Sequence, residues 1–322
     1  MQAIRLEQHG GPEVLEVAAL PDPEPGPGEV LVEVAAAGVN FIDIYQRTGA
    51  YDIDLPGGLG LEGAGEVVAL GPGVTSHAVG DTVAWAGTRG SYATHLCVPV
   101  DRCVRVPSGV TAEQAAAVML QGMTAHFLTH STASLREGET ILVYAAAGGV
   151  GRLLVQLAVR RGARVLAATS TPEKAELVRA LGAEQVLLYR EVDVPATVRE
   201  HTGGEGVDVV YDSVGAATFA DSLKSLRPRG LLVVYGASSG PVPPSDLQVL
   251  NTHGSLYLTR PSLFHHVAST DELEWRASSV LELVRSGALE LAVHDRYPLD
   301  AVGRAHEDLA SGTTTGKLLV VP

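Results

Sequence analysis

The run Thr140-Ile141-Leu142-Val143-Tyr144-Ala145-Ala146-Ala147-Gly148-Gly149-Val150-Gly151 has the residue types and spacing needed to hold an anion. It reads as a buried apolar strand, a tight small-residue turn and the first turn of a helix. That helix continues through Leu153, Leu154, Leu157 and Ala158 and stops at Gly162. A glycine-lined turn into a helix aims several backbone N–H groups at one point, where the helix dipole also favours negative charge. Against the dinucleotide fingerprint G-x-G-x-x-G, Gly148 and Gly151 fill the second and third positions, and Ala146 stands at the first. Ala147, Gly148, Gly149, Val150 and Gly151 are therefore expected at a dinucleotide pyrophosphate. A tight turn without a ligand is the alternative.

The next strand, residues 163–169, ends in Thr169-Ser170-Thr171, with Lys174 a turn later and no acid at its tip. A carboxylate there would accept from ribose hydroxyls and repel a 2′-phosphate; hydroxyls and an ammonium would bind the phosphate. The expected cofactor is NADPH, with Ser170 and Lys174 as the discriminating residues. The competing reading is a helix cap at Ser170-Thr171 with a solvated Lys174.

These residues need elements to position them. Residues 185–188, 207–211 and 230–235 read as further strands, and helices are expected from Pro172 to Gly182 and over 216–226. Such alternation implies crossover connections and a parallel sheet covered on both faces, the doubly wound nucleotide-binding fold. The first part differs: short β-type runs at 30–34 and 65–70 lie among Gly- and Pro-rich turns, and the Pro-rich loop 21–28 excludes helix. A compact, mostly β, barrel-like domain is expected there. A helix capped by Thr111 follows, and another helix spans 273–285 before the apolar run at 318–321. The expected division is 1–120 and 262–322 as one domain, with 121–261 inserted as the nucleotide-binding domain.

With 322 residues, 46% hydrophobic content and a net charge of −14, the chain suits a globular protein, not a sequence-independent grip on nucleic acid or an anionic membrane. No stretch resembles a leader or a membrane span, so a cytoplasmic protein is expected. Cys97 and Cys103 are the two cysteines; their spacing fits two buried thiols better than a redox pair.

The chain resembles the quinone oxidoreductases of the ζ-crystallin type, within the medium-chain dehydrogenase/reductase superfamily. The resemblance rests on His9-Gly10-Gly11-Pro12-Glu13-Val14-Leu15, Gly38-Val39-Asn40-Phe41-Ile42-Asp43, the glycine turn, Tyr211-Asp212-Ser213-Val214-Gly215 and Gly254-Ser255-Leu256-Tyr257-Leu258-Thr259-Arg260-Pro261. It implies that the first domain is GroES-like. Where the alcohol dehydrogenases of the superfamily carry a cysteine and a histidine ligand of catalytic zinc, this chain has Asn40 and Leu61, and the lobe with four closely spaced cysteines is absent. Leucine cannot ligate zinc and an amide is a poor substitute for thiolate. His9, His77, His95, His126 and His130 show no paired ligand spacing, and His265-His266 are sequence neighbours on a helix or turn. No metal site is expected. Without a Lewis acid, hydride transfer from NADPH suits an electron-poor acceptor, a quinone or the β-carbon of an enone.

By the same resemblance, Asn40, Asp43, Tyr45, Tyr51 and Arg260 belong to the catalytic site. Asn40 offers an amide donor to the nicotinamide or the acceptor oxygen, and Asp43 is an orienting acceptor rather than an acid. Tyr45 and Tyr51 offer phenol donors on apolar bodies, or fill a domain seam. Arg260 holds an acceptor oxygen, the nicotinamide amide or an interdomain salt bridge. Thr124, Tyr189, Ser213, Tyr235, Gly236, Ala237, Ser238, Tyr257 and Thr259 complete the cofactor side. Gly312 stands where some relatives carry an arginine for the 2′-phosphate, and Lys317 is not assumed to replace it. The implied activity is that of an NADPH:quinone oxidoreductase, the alternatives being an enal or enone reductase and a non-catalytic crystallin-like or RNA-binding role. A homodimer through the edge of the nucleotide sheet, using 231–235 and 256–258, is expected.

Overall fold

The strand Thr140–Tyr144 is buried at every residue, as an unbroken apolar run requires in a sheet covered on both faces. A computed structural model describes residues 1–322, and this strand lies at the middle of the sheet in one of two compact units, residues 124–265. The sheet runs Gln185–Leu188, Arg164–Thr169, Thr140–Tyr144, Val207–Asp212, Leu226–Val234, Tyr257–Thr259, and every neighbouring pair is parallel. In chain order this is 3-2-1-4-5-6, the doubly wound arrangement, in which ligands bind beyond the carboxyl ends of the strands. Alternate residues Leu142 and Tyr144, Leu166 and Ala168, and Leu232 and Val234 enter one core, following the period of two.

Two local features depart from the sequence expectation. The helix expected at 216–226 is confined to Phe219–Ser225, because residues 213–218 form a loop in which Gly215 takes a φ of +90°. The following strand starts at Leu226, not Gly230, and its register to Val207–Asp212 shifts beside Val207. Helix Val194–His201, capped by Asp193, and helix Val302–Ser311 had no reading in sequence.

The other unit comprises residues 1–123 and 266–322. Its main sheet runs Val293–Pro298, Lys317–Val321, Glu29–Val39, Glu62–Leu70, Thr82–Ala86, Cys103–Arg105, with His95–Pro99 also paired to Glu29–Val39. Val30, Val32 and Val34 alternate into its core with Val67, Val83 and Trp85. Lys317–Val321 pairs antiparallel with Glu29–Val39, placing Leu319 opposite Gly38. Thr111 caps helix Ala112–Phe127 in a reciprocal box: the Gln114 N–H donates to Thr111 Oγ1, and the Thr111 N–H donates to Gln114 Oε1. Residues 41–48 are helical: Phe41–Thr48 is a helix ended by Gly49 at a φ of +78°.

Candidate active site

In the unit of residues 124–265, the glycine turn is shaped by close packing. Gly148 is the N-cap of helix Gly149–Arg160, and no side chain caps it, so the first-turn N–H groups stay available to an anion. A Cβ on Gly151 would overlap the Ala145 carbonyl oxygen and lie 2.8 Å from Ala146 Cα. One on Gly148 would stand 3.2 Å from the same oxygen. Ala145 adopts a φ of +50°, the strained corner that turns strand into helix.

Beside the turn, Thr171 and not Ser170 caps the next helix, its Oγ1 accepting from the Lys174 N–H. Ser170 is left at the strand tip. The Tyr189 N–H donates to the Thr169 carbonyl at 3.1 Å, which brings Tyr189 alongside. Arg190 lies over the Tyr189 ring at 5.7 Å. Burial, and then the Arg190 charge, hold the Lys174 ammonium below its usual range. Two cations, a hydroxyl and a phenol thus share one strand tip. Arg190 was missed in sequence; its signal was a second cation directly after Tyr189.

The next two carboxyl ends are stitched together. Asp212, fully buried, accepts from the Val214 and Gly215 N–H groups at 2.8 and 3.0 Å and from the Thr218 and Ser222 hydroxyls. Ser213 O and Val214 O accept from the N–H groups of Ser238 and Ser239. The Tyr235 hydroxyl meets Ser213, and burial pushes it up to about 12. Arg260 donates to Gly236 O at 3.3 Å, so Ser213, Tyr235, Gly236, Ala237, Ser238 and Arg260 form one neighbourhood. Thr259 closes the edge strand, half-buried, while Tyr257 is exposed. Thr124 is half-buried in helix Ala112–Phe127. His126 and His130, four apart, stack at 4.0 Å; this corrects the reading that the histidines lack paired spacing. No group of three or more His, Cys, Asp or Glu side chains that could hold a metal ion is found.

In the other unit, Asn40, Glu62, Gln121 and Lys317 meet in a buried cluster. The Asn40 amide nitrogen donates to Gly38 O at 3.3 Å and Glu62 Oε1 at 2.7 Å. Its oxygen accepts from Lys317 Nζ at 2.9 Å and Gln121 Nε2 at 3.1 Å. Lys317 also pairs with Glu62 Oε1, while Glu62 Oε2 accepts from the Leu120 N–H at 2.7 Å. Both amide donors of Asn40 are therefore engaged inside the unit, leaving none for a nicotinamide or acceptor oxygen. Lys317 faces inward, away from any role at a 2′-phosphate. Leu61, the neighbour of Glu62, is buried and apolar.

Asp43 begins the second part of this network. Its Oδ2 accepts from the Asn40 N–H and the Tyr92 hydroxyl, each at 2.8 Å. Its Oδ1 is buried without a donor, as is Gln46 Oε1 three residues on. Burial pushes Asp43 up to about 7 against the pull of those two hydrogen bonds and of Lys317. Beyond Tyr92, His306 makes long contacts of 3.4 Å to the Tyr92 hydroxyl and the Arg47 guanidinium; burial, then Arg47, push it down to about 3. Phe41 and Tyr45 on helix Phe41–Thr48, and Tyr51 just beyond its end, form an aromatic row, with ring centroids 6.2 and 5.1 Å apart.

Comparison with known proteins finds two family matches along the chain. Residues 26–108 match the alcohol dehydrogenase GroES-like domain and residues 149–283 the zinc-binding dehydrogenase family. A quinone oxidoreductase of Pseudomonas aeruginosa is 44% identical over 321 residues, 99% of each chain. The chain belongs to the quinone oxidoreductases of the medium-chain dehydrogenase/reductase superfamily. The Escherichia coli quinone oxidoreductase, solved in complex with NADPH, superposes with a TM-score of 0.98 at 40% identity, covering 100% of both chains. A 2-haloacrylate reductase of Burkholderia is 36% identical, covering 100% of this chain and 99% of its own. For a member of this family, the residues that sequence reading missed are mostly supports: Glu62, Tyr92, Gln121, Asp212 and His306.

Proposed function

We propose that the protein is an NADPH:quinone oxidoreductase that uses no metal. The tip of Arg164–Thr169 carries this reading: Ser170, Lys174, Tyr189 and Arg190 gather there, with the one first-turn carboxylate, Glu173, engaged by the Thr171 hydroxyl and its own N–H, beside an uncapped, glycine-lined helix start. Similarity over full length to quinone oxidoreductases, one of them solved with NADPH, supports it. The cradle fits the cofactor, since no side chain caps the helix that Gly148 begins, and Gly151 lets that helix start close against Ala145 and Ala146. Bound NADPH supplies a hydride. The N–H groups of Gly149, Val150 and Gly151 hold the pyrophosphate, and Lys174 and Arg190 hold the 2′-phosphate by charge. Thr124, Ser213, Tyr235 to Ser238, Tyr257, Thr259 and Arg260 fix the rest of the cofactor. Tyr45 and Tyr51 give a planar acceptor apolar ring surface and a phenol donor for the oxygen that gains charge.

Reduction of an activated alkene is the second reading, favoured by the similarity to the 2-haloacrylate reductase. Parallel assays on a 1,4-quinone and an α,β-unsaturated ketone separate the two by kcat/KM. In the same assay, Lys174→Glu with Arg190→Glu is expected to cut the NADPH-over-NADH preference at least tenfold; an unchanged preference sinks the 2′-phosphate assignment. NADPH failing to bind a folded protein would leave the non-catalytic role as the better reading.

A homodimer fits the edge strand Tyr257–Thr259, where Tyr257 and Leu258 are 62% and 41% exposed and the backbone can pair with a second copy. Leu226–Val234 is not such an edge, being paired on both sides. Cys97 and Cys103 are unpaired, which suits the reducing cytoplasm.

A further inference from the structure

The buried cluster around Lys317 has the wrong composition for a core. Lys317 is 3% exposed and Glu62 0%, and replacing such a pair by apolar side chains of similar volume is often neutral or stabilising. Bulk stability therefore does not account for this chemistry at this place. What the pair does locally is visible. Lys317 only donates and Glu62 only accepts, so together they dictate which end of the Asn40 amide faces which way. With Gly38 O and Gln121 filling the remaining positions, all four hydrogen-bonding positions of the amide are taken.

Asn40 is also the N-cap of helix Phe41–Thr48, with extended backbone at φ −137° and ψ 157°. Its N–H is bound by Asp43 one turn on. With its side chain held by the cluster instead of capping the helix, and its N–H held by Asp43, Asn40 anchors the point from which that helix begins. The helix in turn carries Phe41 and Tyr45, and Tyr51 is bound to it through its N–H and the Tyr45 carbonyl at 3.0 Å. Gly38 makes the arrangement possible: a Cβ there would overlap the Glu62 carboxylate and lie 2.5 Å from Lys317 Cε. The cluster thus joins the ends of three strands, Glu29–Val39, Glu62–Leu70 and Lys317–Val321, to the start of the aromatic row.

We infer that Lys317 and Glu62 are positioning residues for the acceptor: acting through Asn40, they set the helix that presents Tyr45 and Tyr51 to the ring of the quinone. This rests on the proposed reductase function. The burial of the charge pair is the means: Lys317 offers only donors and Glu62 only acceptors, so a reversed Asn40 amide would face like groups, whereas an apolar filler would not discriminate.

The test is the charge-neutral double variant Lys317→Met with Glu62→Gln, compared with Asn40→Ala and the triple variant. The double variant is expected to keep the NADPH Kd within twofold and to lower kcat/KM for a 1,4-quinone at least tenfold. The triple variant should be no worse than Asn40→Ala alone, because the pair acts through that amide. Independently of activity, the Asn40 side-chain NH₂ protons in the cofactor-free protein should exchange slowly with solvent in wild type and fast in the double variant. An unchanged quinone kcat/KM, losses that add across the triple variant, or exchange that stays slow overturns the inference. If the single and double variants alike fail to fold, the pair is structural and the inference falls. Wild type that reduces no quinone would instead overturn the proposed function, and the exchange measurement would still judge the Lys317–Asn40 link.

Discussion

The glycine turn and the Lys317 cluster are both built to fix one small piece of backbone, and they do it by opposite means. At residues 145–151 the device is omission: Gly151 lets the helix approach Ala145 and Ala146, and the uncapped Gly148 leaves N–H groups open. Around Asn40 the device is saturation, with all four hydrogen-bonding positions of its amide taken by buried neighbours. A site awaiting a ligand needs unfilled hydrogen bonds; a site holding a neighbour in place needs them all filled.

Perturbing each device should have unequal results. The largest effect is expected from Lys317→Met alone, which strands a buried carboxylate and should cost about 3–5 kcal/mol in denaturant unfolding. Adding Glu62→Gln should recover most of that loss, and no recovery would mean that the charge pair is not what the cluster depends on. Next, Gly151→Val should cost about 1–3 kcal/mol by overpacking and weaken NADPH binding more than any change at Asn40; a variant that binds NADPH normally would show that the close approach is dispensable.

The smallest effect is a slope. Asp43 faces Tyr92, the Asn40 N–H, Lys317 and Glu62. Its folded pKa of about 7 lies above its ordinary 3.8, so its contribution is fully present below pH 3.8 and is lost as pH rises through 7. His306 faces Tyr92 and Arg47, with a folded pKa of about 3 against 6.5. Its contribution is present above 6.5 and lost as pH falls through 3. Between about pH 4 and 6.5 the two oppose, each by up to about 1.4 kcal/mol per pH unit. Asp43→Asn should therefore make stability rise more steeply with pH over that window, and His306→Asn should make it fall. Parallel profiles for all three proteins would show that neither group titrates as described.

The same contrast explains what could be read from the chain. The turn, the strand at 140–144 and the basic strand tip are local patterns, legible because strand and helix periods repeat within a few residues. Asn40 was singled out, but its partners stand 22, 81 and 277 residues away along the chain, and no spacing rule links them. The reading of Asn40 as a donor to the substrate failed for that reason: its amide could be seen, its occupants could not. Helix Phe41–Thr48 was hidden similarly, since Asp43, Gln46 and Arg47 are buried polar residues and blur the apolar face that would have marked it. Lys174 was legible, while Arg190 required knowing that Tyr189 is tied to Thr169.

The pairing of Lys317–Val321 with Glu29–Val39 also bears on how the protein is made. Residues 124–265 are contiguous, so that unit can close while the ribosome is still translating the tail. The other unit cannot: Gly38 and Asn40 must wait for a strand synthesised on the order of tens of seconds later. Until then its central strand has an open edge and its buried Glu62 has no counter-charge. The nascent chain thus carries a completed nucleotide-binding unit while the other stays unfinished until Lys317–Val321 is made and seals the sheet.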